Sequence, residues 1–151
     1  MSRTFAMVKP DGIQRGLIGE IISRLERKGL KLVAMRLVAL DVDLARRHYA
    51  EHQDKPFFAR LVRYITAGPV VVMAWEGPEA VQVVRSLLGA TNPRQAQAGT
   101  IRGDLGLSLA ANLVHGSADD EAAAIELALH FSPGDLVGYD RTSEAWISPE
   151  E

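Results

Sequence analysis

One histidine stands out for its neighbours. His115 is followed by Gly116 and Ser117, with Asn112 three residues before it and Arg102 further upstream. An imidazole attacks phosphorus only as the neutral ring, so such a nucleophile needs a partner to fix its tautomer and donors to take up charge on the phosphoryl oxygens. Gly116 lets a ligand or another segment come close. Ser117 offers a hydroxyl to an imidazole or a phosphate, or caps a following helix. Taken alone, the same residues also describe a hydrogen-bonded histidine at a strand end.

Two further histidines, His48 and His52, stand four apart with Glu51 between them. On a helix this spacing would put both rings on one face, as some zinc sites require. The metalloprotease pattern wants glutamate directly after the first histidine, but Tyr49 is there, and no third ligand suggests itself. No protein-bound metal is expected; surface helix histidines are the plain reading, with His52 able to point at phosphate. The phosphate-loop pattern fails as well, because Gly12 and Gly16 lead to Leu17 and Ile18 rather than Lys and Ser or Thr, and no Gly-x-Gly-x-x-Gly occurs. Any bound phosphates must therefore be held by side chains.

The elements that would position these groups follow from apolar periodicity. Thr4 to Val8 reads as a short strand with Phe5 and Met7 on one face and Ala6 and Val8 on the other. Asp11 with Gln14 resembles a capping box, opening one helix striped by Ile13, Leu17, Ile21 and Leu25 and stopped by Gly29. Leu30 to Leu40 reads as a strand, and Asp43 as the cap of a second helix. A short helix from Pro56 through Ala67, a central strand Val70 to Ala74 and a helix from Pro78 to Gly89 follow. Residues Ala90 to Thr100 form a long loop. Leu113 to His115 is a brief strand, and a helix starts at Asp119 or Asp120 and runs through Phe131 with Ile125, Leu129 and neighbouring alanines inward; the segment from Ser132 reads as a docked tail. The order predicts one α+β sheet with helices on a single face.

Composition bounds the rest. A chain of 151 residues, 47% hydrophobic and 24% charged, suits one compact domain, residues 1–151. A net charge of −2 gives no broad basic footprint for duplex nucleic acid. There are no cysteines, which fits a reducing cytoplasm, and no apolar run approaches membrane-spanning length. A cytoplasmic protein is expected.

The residues also carry a resemblance. Arg3 to Phe5, Lys9 to Gly12, Gln14 to Glu20, Pro56 to Phe58, Gly68 to Val71, Trp75 to Gly77, Thr91 to Pro93, Gly99 to Asp104, Asn112, His115 to Ser117 and Trp146 occur in the order seen in nucleoside diphosphate kinases. The chain resembles that family from end to end. The resemblance implies a ferredoxin-like βαββαβ fold with a four-stranded antiparallel sheet. It implies transfer of the γ-phosphoryl of a nucleoside triphosphate to a nucleoside diphosphate through a phosphohistidine at His115, by ping-pong kinetics and with little regard for the base.

By the same resemblance Glu126 holds the other ring nitrogen, Ser117 supports that carboxylate, and Tyr49 packs near the imidazole. Arg85, Arg102, Thr91 and Lys9 grip phosphate; Lys9 and Asn112 meet the sugar; Phe57 stacks on the base, with Leu61 and His52 completing the nucleotide site. Magnesium is implied as an ion carried in by the nucleotide, and the assembly as a homo-oligomer, a hexamer rather than a tetramer. Asn112 and His115 pose a difficulty, since residues three apart on a strict pleat face opposite ways; the strand must twist or begin after Asn112. Two departures stand out: Ala118 replaces the family's usual Asp, and the ending from Ile147 to Glu151 is not the common one. The alternative is a non-catalytic nucleotide-binding regulatory module of the same fold. Binding of single-stranded nucleic acid through Phe57, Arg60 and Arg63 is at most a side activity.

Overall fold

Alternation along the first strand decides the architecture. In β1 (Ser2–Val8), Phe5 and Met7 point one way and Ala6 and Val8 the other, and all four are buried. The computed structural model describes residues 1–149. Its other strands are β2 (Lys31–Val38), β3 (Val70–Gly77) and β4 (Val114–Gly116). The helices are α1 (Pro10–Gln14), α2 (Ile18–Lys28), α3 (Val42–His48), α4 (Phe58–Ile65), α5 (Ala80–Leu88), α6 (Ile101–Leu105), α7 (Asp120–His130) and α8 (Glu144–Ile147).

The strands form one sheet of order β2-β3-β1-β4. Every pairing is antiparallel, β1 meeting β3 from Ser2 opposite Gly77 to Val8 opposite Val71, and meeting β4 from Ala6 opposite Gly116 to Val8 opposite Val114. With α2 between β1 and β2 and α5 between β3 and β4, this is the expected ferredoxin-like arrangement. On one face Ile21, Leu25, Ala80, Val84 and Leu88 pack on Ala6, Val8, Met73 and Trp75. The other face departs from the expectation of helices on a single side: α3, α4 and α7 close over Phe5, Met7, Val72 and Ala74. The reason lies in β1 itself. A single helical layer would leave Phe5 and Met7, both 0% exposed, in water, forfeiting roughly 1.5–3 kcal/mol apiece.

Several local expectations are corrected by side-chain chemistry. The single helix after Asp11 is two, α1 and α2, broken where Gly16 takes a φ of 70°. Asp11 makes no capping box with Gln14. Its carboxylate turns inward and accepts from the Tyr64 hydroxyl and from the Leu113 N–H, the latter at 3.0 Å. Asp41 rather than Asp43 caps α3, accepting from the Leu44 N–H at 2.7 Å. The loop over residues 90–100 stands as expected, and α6, which was not expected, follows it directly, capped by the Thr100 hydroxyl, which accepts from the Gly103 N–H at 3.0 Å. In α7 the alanine expected inward, Ala123, is buried, but Ile125 is 61% exposed, and Glu126 and His130 are buried beside Ala123.

The tail is docked along β2. Val33 is the extra residue where β2 shifts register against β3, and its carbonyl accepts the Val137 N–H at 2.8 Å. The Tyr139 hydroxyl donates to the Leu32 carbonyl at 2.6 Å, and Arg141 to that of Leu30 at 3.1 Å. Of the unusual ending, Glu150 and Glu151 lie outside the described residues. No helix among the described residues is long and apolar enough to cross a membrane.

Candidate active site

Leu113 resolves the difficulty over Asn112 and His115. Its φ is 74°, and across it the Val114 N–H donates to the Asn112 carbonyl at 2.8 Å, a γ-turn of the rare, strained kind. β4 therefore begins after Asn112, and the turn lets both side chains reach one cleft. Three contacts hold the strained residue. Its side chain is 0% exposed, its N–H is held by Asp11, and its carbonyl accepts the Lys9 N–H at 2.8 Å.

The cleft holds roughly 250 Å³ and is lined by Lys9, His52, Arg85, Thr91, Arg102, Asn112, His115 and Glu126, among others. At its centre His115 Nε2 lies 2.6 Å from Glu126 Oε1, and the Ser117 hydroxyl donates to the same oxygen at 3.0 Å. A carboxylate only accepts, so Nε2 carries the hydrogen and Nδ1 is the bare ring nitrogen. Lys9 Nζ donates to Asn112 Oδ1 at 2.8 Å, and Asn112 Nδ2 to the Thr91 carbonyl at 3.0 Å. Arg102 is engaged more deeply. It donates to the carbonyls of Asn112, Gly89 and Val114 at 3.2, 2.9 and 2.7 Å. Two of the five guanidinium hydrogens remain for a ligand.

Crowded cations set the electrostatics. Burial, then the neighbouring Arg102, pushes the Lys9 ammonium down to about 8, and burial, then Arg85, pushes Arg102 down to about 10. His115 is held well below the ordinary histidine range by burial and then by Lys9, Arg102 and Arg85, so its ring is neutral at pH 7. Burial raises Glu126 above the usual carboxylate value. The site thus joins an uncharged imidazole with one free nitrogen to three cationic groups, which suits attack on an anionic phosphorus centre.

Comparison with known proteins gives the family. The sequence pattern described as nucleoside diphosphate kinase matches residues 2–136. The chain belongs to the nucleoside diphosphate kinase family. A nucleoside diphosphate kinase of Archaeoglobus fulgidus is 55% identical over 150 residues, covering 99% of each chain. The crystal structure of a family protein from Babesia bovis superposes with a TM-score of 0.95 at 52% identity, covering 97% of this chain and 99% of that one. A halophilic nucleoside diphosphate kinase from Halobacterium salinarum, in complex with CDP, gives 0.94 at 55% identity, covering 97% of both. The protein is a nucleotide-binding phosphotransferase with nucleoside diphosphate kinase activity, and the silent-module alternative is not favoured.

Within this kinase the expected residues divide by position. Lys9, His52, Arg85, Thr91, Arg102, Asn112, His115 and Glu126 meet in the cleft, and Ser117 lies behind Glu126. Phe57 is 36% exposed, its ring 5.5 Å from that of His52. Leu61 does not line the cleft; it packs on the core beneath α3 and α4. Tyr49 stands edge-on against His48 at 4.9 Å, and His48 rather than Tyr49 lies against the His115 ring, at 4.6 Å.

The pairing of His48 with His52 fails because α3 ends at His48 and a separate 3-10 turn carries His52. His48 is buried, not a surface histidine. One donor atom each from His48, His115 and Glu126 lies within 4.8 Å of the other two, the one such group among the described residues. Gly116 lines the cleft as expected, and Glu51, Leu88, Gly89 and Ala118 line it without any expectation from the sequence. What comes close to Gly116 is Leu88, whose Cδ1 a Cβ there would meet at 2.8 Å. Despite Ala118, α7 keeps its cap: Asp119 accepts from the Ala122 N–H at 2.7 Å.

Proposed function

We propose that transfer runs by a ping-pong route in which His115 Nδ1 carries the phosphoryl group. The observation that carries this reading is the 2.6 Å contact of Nε2 with Glu126, which commits one nitrogen and leaves the other its lone pair. That lone pair forms the N–P bond as the bond from the γ-phosphorus to the bridging oxygen breaks, and a nucleoside diphosphate leaves with the oxygen's electrons. The phosphorylated ring, still protonated on Nε2, is formally cationic, and the Glu126 carboxylate stabilises it. A second diphosphate reverses the step. Lys9, Arg85 and Arg102 neutralise the migrating group, with Thr91 at the phosphate end.

Magnesium carried in with the nucleotide would supply neutralising charge for its phosphates. The cleft carboxylates are Glu51 and Glu126, and Glu126 is already bound to His115 and Ser117, so the nucleotide's phosphates would hold the ion. The test is incubation with γ-labelled triphosphate and magnesium. Acid-labile, base-stable label on the protein, discharged by a different diphosphate, is expected; an unlabelled protein that still turns over would refute the route.

Phe57, at the half-exposed position beside His52, offers a face on which any base can stack, and Lys9 and Asn112, hydrogen-bonded to each other in the cleft, are the proposed partners of the sugar hydroxyls. Stacking of this kind is worth about 1–3 kcal/mol per base. Phe57→Ala is accordingly expected to raise KM about tenfold for purine and pyrimidine diphosphates alike; a loss confined to one base class would remove Phe57 from this role. The pyrimidine nucleotide CDP in the Halobacterium salinarum relative supports broad base acceptance.

Lys9 makes affinity depend on pH. Bound phosphate raises the Lys9 pKa, so the complex holds more protons than the free enzyme above pH 8, and affinity falls as pH rises through that value. Stability moves the opposite way. A folded-state pKa of about 8 against the ordinary 10.5 means the unfolded chain binds more protons between these values, so unfolding free energy rises with pH there. Calorimetry at pH 7.5 and 9 should show weaker binding with proton uptake at the higher pH, and no such change in Lys9→Met. A homohexamer in the cytoplasm completes the proposal. The exposed Met35, Leu37, Leu107 and Leu109 supply apolar surface for subunit contacts, and mass in solution distinguishes hexamer from tetramer.

A further inference from the structure

Behind the His115 ring lies a pair of histidines that the transfer step does not use. His48 ends α3 and is 9% exposed; His130 ends α7 and is 3% exposed. His48 Nδ1 and His130 Nε2 are 2.9 Å apart, while His48 Nε2 and His130 Nδ1 have no partner among the described residues. The His48 ring stands edge-on to His115 at 4.6 Å, and the His130 ring lies flat on Phe5 at 4.5 Å.

Burial first, then neighbouring charge, holds both rings neutral: His48 down to about 2 and His130 down to about 4. His48 faces His115, Glu126, His130 and Lys9; His130 faces His115, Glu126, Arg36 and Arg47.

A neutral pair has one hydrogen for the contact between its two rings, so it exists in one of two orders. Either His48 donates and presents a bare lone pair from Nε2, or His130 donates and His48 carries its hydrogen on Nε2. The Glu126 carboxylate discriminates. A ring nitrogen of His48 lies within 4.8 Å of a Glu126 oxygen; with Nδ1 engaged by His130, Nε2 is the nitrogen left to meet the carboxylate, and a buried carboxylate repels a lone pair and attracts an N–H. We propose that His130 Nε2–H donates to His48 Nδ1, fixing His48 as the Nε2–H tautomer so that an N–H faces the Glu126–His115 pair. His130 is then a positioning residue, acting through His48 on the carboxylate that orients the phosphoryl acceptor. This rests on the reading of His115 as that acceptor.

Nitrogen-15 spectra of the intact wild-type protein test the proton order directly. Hydrogen on His48 Nε2 and His130 Nε2, with His48 Nδ1 bare, is expected; hydrogen on His48 Nδ1 overturns the proposal. Kinetics test the consequence. His130→Phe keeps a ring on Phe5 but removes the donor, and should lower kcat about tenfold at unchanged KM. His130→Trp supplies an indole N–H that can only donate, and should restore kcat to within about twofold of wild type. Wild-type kcat in the Phe variant, or equal loss in both, also overturns it. Should the Phe variant fail to fold, the wild-type spectra decide alone. Failure of wild-type protein to take up label sinks the His115 reading instead, and leaves the measured proton order standing.

Discussion

His115→Gln protein is expected to take up no label from a γ-labelled triphosphate and to turn over roughly 10⁴-fold or more slower than wild type, the scale of deleting a nucleophile. It should nonetheless fold. The His115 side chain is 20% exposed and its one hydrogen bond is to Glu126, to which the Gln amide can also donate. Thermal unfolding within a few degrees of wild type would show that chemistry, not structure, has been lost. Persistent label on a folded variant would place the covalent step elsewhere.

Arg102→Ala should fail for the opposite reason. Truncation removes three hydrogen bonds at once, two of them buried, and leaves the Asn112 carbonyl only the Val114 N–H of the turn. An unsatisfied buried polar group costs about 1–3 kcal/mol, and several together put the loss at about 3–5 kcal/mol. For a chain of this size that is a fall in Tm of roughly 10 °C or more, with transfer lost as well. Arg102→Lys should rescue little, because one ammonium cannot reach three divergent carbonyls. Arg85 is the control. It lines the same cleft but its side chain makes no hydrogen bond among the described residues, so Arg85→Ala should weaken transfer while shifting stability by less than about 0.5 kcal/mol. Equal shifts in Tm for the two variants would contradict the division of labour between them.

Much of this was legible in the sequence, and the parts that were not share a cause. Apolar alternation in β1 and the run in β3 report burial directly, so those elements stand where periodicity puts them, and so does the part of the helical stripe at Ile21 and Leu25 in α2. The inward stripe of α7 misled because, beside Ala123, it carries Glu126 and His130, polar groups turned inward to serve the site, while the conspicuous Ile125 faces out. Asp11 misled likewise, since its distant partners Tyr64 and Leu113 outcompete the local cap. The buried face of α3 ends in His48, whose partners come from β4 and α7, and no local spacing announces such a contact. Arg102 was legible as a phosphate group through family resemblance, but its carbonyl bonds depend on the fold.

The left-handed turn at Leu113 has a consequence for how this enzyme is counted. Its anchors come from Asp11 and Lys9, more than a hundred positions away along the chain, and Asp11 is in turn gripped by Tyr64 of α4. None of these can be in place until both ends of the polypeptide and its middle have come together. A half-assembled chain is thus not a feeble catalyst but a silent one, and titrating reactive centres gives a census of finished molecules alone.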